Sequence, residues 1–299
     1  MMGVHRRAFM GTILKILGAG GTLKSLWPSV AETAQASVAP PDLGTWLGRA
    51  MEYKASCPLV EDFAEGQIWI QKVSSSRKYF VGMKTRLKGI VGVLSLQRTD
   101  LLASVVQWEP KKGRFVPLWH ADQVARQGSW RRKVLVFQEE GEAFTEYKLS
   151  PEGSKRKHVP PQGRPLDDPL SSFLNWRAGV YGPLRPGQVF LIDNLARREP
   201  LTLRLTIASE EEARSKRPTS QAENWSFLLR ADLEKEVAES LRGSLEGWLD
   251  EQWVVLFAKA NNVRLLGEVW ARLSGKWMLL EPELRSSPEP PLEKLKWEI

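Results

Sequence analysis

The dominant period of this sequence is two, which commits most of the chain to β-strands. Tyr79, Val81, Met83, Thr85 and Leu87 alternate with Lys78, Phe80, Gly82, Lys84 and Arg86. Leu201, Leu203, Leu205 and Ile207 alternate with Thr202, Arg204 and Thr206. Further on, Val263, Leu265, Val269, Ala271 and Leu273 alternate with Arg264, Glu268 and Arg272. Successive side chains on a strand point to opposite faces, so each segment offers one face to a core and one largely to water. Shorter strand-like runs cover 67–73, 101–108, 114–119, 133–137, 144–149, 225–230 and 253–258. Turn signals stand at Pro110-Lys111-Lys112-Gly113, Glu140-Gly141, Pro151-Glu152-Gly153, Asn261-Asn262 and Ser274-Gly275. Turns this short join antiparallel neighbours, because a parallel pair needs a long crossover.

One helix interrupts the pattern. Asp167 or Asp168 caps it, Pro169 suits its first turn, and Leu170, Phe173 and Leu174 share one face before Gly179 closes it. Two segments read either way. Leu43, Trp46, Leu47, Ala50 and Met51 form a helical stripe, while 51–57 alternates as a strand; Leu233, Val237, Leu241 and Leu245 form another stripe, broken by Gly243. Residues 210–224 read as a long polar loop.

The first 36 residues have the anatomy of an export signal. A basic start ends in Arg6 and Arg7, a weakly apolar stretch runs from Ala8 to Trp27, and Ala34-Gln35-Ala36 offers a peptidase small side chains, leaving Ser37 as the new terminus. Arg6-Arg7 followed by Ala8 and Phe9 resembles a twin-arginine signal, with His5 and Gly11 departing from its usual neighbours. Two lysines and many glycines make the stretch a poor permanent span, and no other segment approaches 18 apolar residues. The expected organisation is a signal over 1–36, a linker or short helix over 37–50, an antiparallel β domain over 51–285, and a Pro-rich charged tail over 286–299.

Composition excludes several classes. The formal charge is +8, but Arg6, Arg7, Lys15 and Lys24 belong to the signal and the remaining excess is scattered. Basic runs such as Arg131-Arg132-Lys133 and Lys155-Arg156-Lys157 sit beside turns and read as solvated faces, and no nucleic-acid module accompanies them. Cys57 is the one cysteine, so there is no internal disulfide and no cysteine-based metal site, and it reads as a small buried apolar group.

At the level of motif order the chain resembles the domain of unknown function 3108 family of exported bacterial proteins, over roughly 51–284. The resemblance rests on Met51-Glu52-Tyr53-Lys54-Ala55, the step Lys88-Gly89-Ile90-Val91-Gly92, and the strand end Arg114-Phe115-Val116-Pro117-Leu118. It continues in Asp168-Pro169-Leu170-Ser171-Ser172-Phe173-Leu174, then Leu184-Arg185-Pro186-Gly187-Gln188 turning into a strand. Late in the chain it rests on Leu245-Glu246-Gly247-Trp248-Leu249-Asp250 and on the closing strand Leu266 to Leu273. The resemblance implies a mainly β fold, a curved antiparallel sheet or half-open β-barrel with one or two short helices, located in the periplasm or otherwise exported. It implies no activity.

Chemistry is sparse. His120 and His158 alone remain after the signal, too few for a histidine zinc site, and His120 with Asp122 reads as a surface contact. No nucleophile elbow, P-loop or dinucleotide fingerprint occurs. Asp167-Asp168 is a carboxylate pair that helix capping already explains. No catalytic residue, metal ligand or cofactor is assigned. Trp69, Trp108, Trp119, Trp225, Trp253 and Trp270 fall in strand-like segments and read mainly as packing, with a ligand-lining role as the sharper alternative. The expected function is a non-enzymatic envelope protein that binds an apolar or lipid-like component and meets the export machinery through its signal. A hydrolase of wall polymer or glycan, and a structural envelope partner, are the alternatives.

Overall fold

Short turns between alternating segments make consecutive strands neighbours, and this rule generates nearly the whole architecture. The computed structural model describes residues 43–73, 77–138, 143–160, 166–195, 201–216, 225–232, 244–263 and 267–279. Among them, fourteen strands form one antiparallel sheet that does not close. The first meander holds β1 (Arg49–Cys57), β2 (Val60–Val73), β3 (Lys78–Leu87), β4 (Thr99–Glu109), β5 (Arg114–Arg126), β6 (Ser129–Gln138), β7 (Ala143–Ser150) and β8 (Gly153–Val159). The second holds β9 (Val189–Asn194), β10 (Leu201–Ile207), β11 (Phe227–Asp232), β12 (Ser244–Leu249), β13 (Val255–Val263) and β14 (Gly267–Leu279). The last strand pairs with the first, from Arg49 opposite Leu279 to Ser56 opposite Trp270, so the free edges are β8 and β9.

Three short helices accompany the sheet: α1 (Gly89–Leu94), α2 (Pro169–Arg177) and α3 (Glu210–Ser215). The chain between the two edge strands carries α2, which packs on β4, β5 and β9 and so touches both meanders. Asp168 caps α2 by accepting from the N–H groups of Leu170 and Ser171, and Gly179, at φ +73°, follows its last turn. The fold class is therefore the expected one, mainly β with short helices.

The core lies on both sides of the sheet. Leu203, Leu205 and Ile207 are buried while Arg204 is exposed, as the alternation of β10 requires. In β3 the expectation of one wet face fails. Tyr79, Val81 and Met83 pack toward α2, with Leu170 and Leu174. Phe80, on the other face, joins Trp69, Val105, Trp119 and Val134 in a separate cluster. Gly82 is what makes room there: a Cβ on it would lie 2.0 Å from the Trp69 ring, directly across the β2–β3 pair.

Several boundaries differ from the sequence reading. The stretch 263–273 is not one strand: β13 ends at Val263, opposite Gly267 at the start of β14. Asn261-Asn262 lie inside β13 and Ser274-Gly275 inside β14 rather than in turns. Gly275 sits where the β1 register shifts, and a Cβ on it would meet Glu52 Oε2 at 3.1 Å, so the glycine serves close approach rather than a turn. The opening stripe forms only a 3-10 turn over Gly44–Trp46 before β1. The expected polar loop starts with α3, capped by the Ser209 hydroxyl. The signal, the linker over 38–41, most of the 233–245 stripe and the tail over 286–299 lie outside the described residues.

Candidate functional site

A cavity of about 140 Å³ lies between α2 and the sheet. Its walls come from α2, from β1–β3 and from β9–β14, and they are almost wholly apolar. The space exists because side chains are missing from the sheet. Gly247, Ala258 and Ala271 stand opposite one another across β12, β13 and β14, and all three line the cavity. Pairing of Ala271 with Ala55, and of Ala55 with Ala64, continues this row of small residues through β1 into β2. Phe173 and Trp176 face the row from α2.

Aromatic rings close one part of the wall. Trp253 stacks on Phe227 with centroids 4.2 Å apart and meets Trp176 edge-on at 5.8 Å. The Arg177 guanidinium lies 4.2 Å from the Trp46 ring, and Trp46 packs against Phe173. Burial holds the Arg177 pKa down to about 10, with Asp250 opposing that shift. Trp253 is held at φ +60°, a conformation rare for a side chain of its size, in the turn from β12 to β13. The Asp250 carboxylate holds that turn by accepting from Gln252 N and Val254 N, each at 2.9 Å. The sequence placed Trp253 in a strand, but it precedes β13.

Two titratable groups belong to the wall, Tyr53 and Glu246. Burial, with Asp250 adding to it, pushes the Tyr53 hydroxyl above its ordinary range. Glu246 is buried and accepts from Lys216 Nζ at 2.6 Å. This pair is structural in form: the carboxylate is engaged by the residue that follows α3.

What positions α2, and hence the cavity, is a buried polar cluster. Ser104 Oγ donates to Asp168 Oδ1 at 2.7 Å and lies 2.9 Å from His120 Nδ1, which is itself 3.2 Å from the same carboxylate oxygen. Burial raises the Asp168 carboxyl, but His120, Ser104 and the Leu170 N–H outweigh it and leave its pKa below the ordinary value. Beside it, Asp167 accepts from Arg114 Nη2 at 2.7 Å, from Asn175 Nδ2 at 3.1 Å and from the Tyr181 hydroxyl. There burial prevails and the carboxyl is raised, despite Arg114. Asn175 also accepts from Phe115 N at 2.7 Å and donates to Phe115 O at 2.8 Å. Its amide replaces β6, whose pairing with β5 starts only at Trp119, beyond Pro117, a residue with no N–H to give.

His120 is thus not a surface contact: it is 2% exposed and serves Asp168, not Asp122. Ser104, His120 and Asp168 have the composition of a hydrolytic triad without its wiring. In that triad the base takes the serine proton and the acid orients the base. Here the serine donates directly to a carboxylate held below its ordinary range, and Ser104 and Asp168 are wholly buried. The carboxylate pair Asp167-Asp168 is a staple between helix and sheet.

The remaining residues singled out in the sequence fall as follows. Trp69, Trp108 and Trp119 are core residues, while Trp225 and Trp270 are partly buried against a cluster around Trp248. His158 lies on the exposed edge strand β8, and Cys57 is buried in the core. Arg6, Arg7, Phe9, Ala34, Ala36 and Ser37 lie outside the described residues. Sequence reasoning missed Trp46, Trp176, Ser104, Arg114 and Asn175. Among the described residues no three His, Cys, Asp or Glu side chains cluster to hold a metal, and no helix is long and apolar enough to cross a membrane.

No family model matches the sequence, and no curated protein does. Among solved structures, the chain is similar to a β-barrel-like protein of the domain of unknown function DUF1849 from Brucella abortus, with TM-score 0.45 and 6% identity over 78% of this chain and 98% of that one. It is also similar to a DUF1089 family protein from Pseudomonas aeruginosa, with TM-score 0.33 and 12% identity over 69% of this chain and 92% of that one.

Proposed function

We propose that the protein is a non-enzymatic carrier or receptor that holds an apolar group in the cavity under α2, and that it works outside the cytoplasm. The observation that carries the binding role is the cavity itself, about 140 Å³ of nearly apolar space floored by Gly247, Ala258 and Ala271. A dry apolar cavity of about 150 Å³ accepts a benzene-sized guest. The group held here is therefore a ring, a branch or a short length of acyl chain rather than a whole lipid.

Thermal melting with saturated carboxylic acids of graded chain length tests this, together with native mass spectrometry of protein drawn gently from envelope extracts. A ligand present at 100 times its Kd adds about 2.7 kcal/mol to stability. Ala258→Phe puts a ring into the cavity and should abolish the gain while the variant still folds. A clean ligand-free mass, with no stabilisation by any chain length, refutes the binding role.

The export half of the reading rests on Arg6, Arg7, Phe9 and the Ala34 and Ala36 site. Replacing both arginines by Lys should stop twin-arginine export, because Lys lacks the guanidinium fork. Normal export of that variant would assign the chain to the general secretory route. N-terminal sequencing should find Ser37 first. Membership of the domain of unknown function 3108 family, supported by the motif order, belongs to this same proposal.

A further inference from the structure

Six of the nine large hydrophobic side chains exposed among the described residues gather at one end of the sheet. Leu59, in the turn from β1 to β2, is 82% exposed. Ile90, Val93 and Leu94 on α1 and Leu96 after it are 51–66% exposed, and Trp130, beside the turn from β5 to β6, is 36% exposed. Strand direction puts these turns together: Ala64 near the start of β2 pairs with Leu87 at the end of β3, and Thr99 pairs with Ala125. Gln127 N donates to Leu96 O at 2.8 Å, tying the two connections to each other.

The exposure is built in. Val91 turns inward onto the core, and Gly92 is buried so closely that a Cβ on it would lie 2.8 Å from Leu87 O. With those two faces of α1 used for packing, Ile90, Val93 and Leu94 are left pointing to solvent. Leu96 and Gln97 follow at φ +58° and +54°, a conformation non-glycine residues adopt at a cost. Cations ring the same end. Arg86, Arg131, Lys155 and Arg156 are exposed around it, against the exposed Glu61 and Glu152, while Lys88 is ion-paired with Glu65.

We propose that this end of the sheet docks on the surface of an anionic lipid bilayer, with the six apolar side chains entering the interface and the cations meeting the headgroups. A protein partner is matched by a continuous packed patch with a central pocket. Here the side chains are spread over three separate connections, four of them on α1 and the residue pair after it, with a tryptophan beside them and cations flanking them, which suits the apolar-to-charged gradient of a membrane interface. This inference is independent of the cavity.

The test uses the full chain with Val93→Cys carrying an environment-sensitive fluorophore, since Cys57 is 3% exposed and stays unlabelled. With equimolar phosphatidylglycerol and phosphatidylcholine vesicles the emission should shift to the blue and become protected from iodide. The same label at Lys111→Cys, in the turn from β4 to β5 at the opposite end, should not respond. Replacing Ile90 and Leu94 by Ser should weaken vesicle partitioning about 100-fold, the loss of two aliphatic side chains from an apolar phase. Phosphatidylcholine alone should bind more weakly. The proposal is overturned if the chain does not pellet with the anionic vesicles, if it binds phosphatidylcholine alone equally well, or if it pellets while the Val93→Cys label stays unchanged, which would place binding elsewhere in the chain. It is equally overturned if the label is already shielded from iodide without lipid, which would show a second copy or the chain's own N-terminal segment covering the patch.

Discussion

Replacing Gly82 by Ala should destabilise the protein by about 3 kcal/mol, although alanine alone would favour a strand over glycine by about 0.5–1 kcal/mol. The added Cβ would lie 2.0 Å from Trp69 Cζ2 and 2.2 Å from Cε2, far inside contact. Trp69 cannot swing away freely: it is fully buried and its ring meets Phe80 edge-on at 6.3 Å. Overpacking of this kind costs about 1–3 kcal/mol, and an off-rotamer side chain adds about 0.5–1.5 kcal/mol. Urea denaturation followed by circular dichroism measures the loss. The decisive variant is the double one. Trp69→Val alone should cost about 3 kcal/mol or more through the void it leaves. With the ring gone, however, Gly82→Ala should become neutral or mildly stabilising, a coupling of about 3–4 kcal/mol between the two sites. A Gly82→Ala protein as stable as its parent, or strictly additive costs, would refute the claim that this glycine is fixed by the ring lying on it.

Two further perturbations read the strand faces and the staple. Leu203→Asp should unfold the protein while Arg204→Asp stays within about 0.5 kcal/mol of the parent, because Leu203 is 1% exposed and its neighbour faces water; thermal melting of both distinguishes the faces, and equal melting would refute the alternation. Asp168→Asn should cost about 2–4 kcal/mol at pH 7, since a buried carboxylate that caps α2 and serves Ser104 and His120 is lost. Its folded pKa is depressed, so its contribution is present above the unfolded value of about 4 and disappears as pH falls through the folded one. Asp167 is raised, so its contribution is full below about pH 4 and is lost as pH rises through its folded value. Urea midpoints across the acid range should therefore show Asp167→Asn gaining on the parent as pH rises above about 4, and Asp168→Asn approaching the parent as pH falls below it. Parallel pH curves for parent and variants would refute both assignments.

The sheet was legible in the sequence because its rule is local. Leu201 to Ile207 alternates, and β10 occupies that span with the anticipated faces. The helix was legible for the same reason: Asp168, Pro169 and Gly179 are punctuation within a dozen residues. What failed was reading a single strand's two faces as dry and wet. Phe80 and Gly82 look like a solvent face in β3 alone, and only Trp69 on the neighbouring strand shows that this face is a second core. The β14 boundaries failed because Gly275 carries the same letter whether it turns a chain or admits a neighbour. The staple was invisible for a third reason. Asp167 and Asp168 satisfied a local explanation, while Ser104 and Arg114 gave no sign of being their partners. Ser104 lies 64 positions from Asp168, and Arg114 lies 53 from Asp167. Asn175, a polar residue between Leu174 and Trp176 on a helix that must be buried, was the one available hint.

Cavity and staple belong to one design, although they share only part of one helix. The β2–β6 region is packed on both faces, so it resists displacement and gives α2 a fixed seat through Asp168 to β4 and Asn175 to β5. The β12–β14 region carries the small-residue row instead and meets α2 mainly across empty space. Were α2 held only by apolar contacts, it would settle onto Gly247, Ala258 and Ala271 and bury more surface, since collapse into a void gains dispersion energy. Directional hydrogen bonds at Asp168 and Asn175 fix the helix at a distance set by the other side of the sheet. The polar cluster therefore shapes the cavity without touching its wall at Ala258. Weakening it, as in Asp168→Asn, should shift the apolar-ligand response and the stability together, whereas filling the void with Ala258→Phe should remove the first and spare the second.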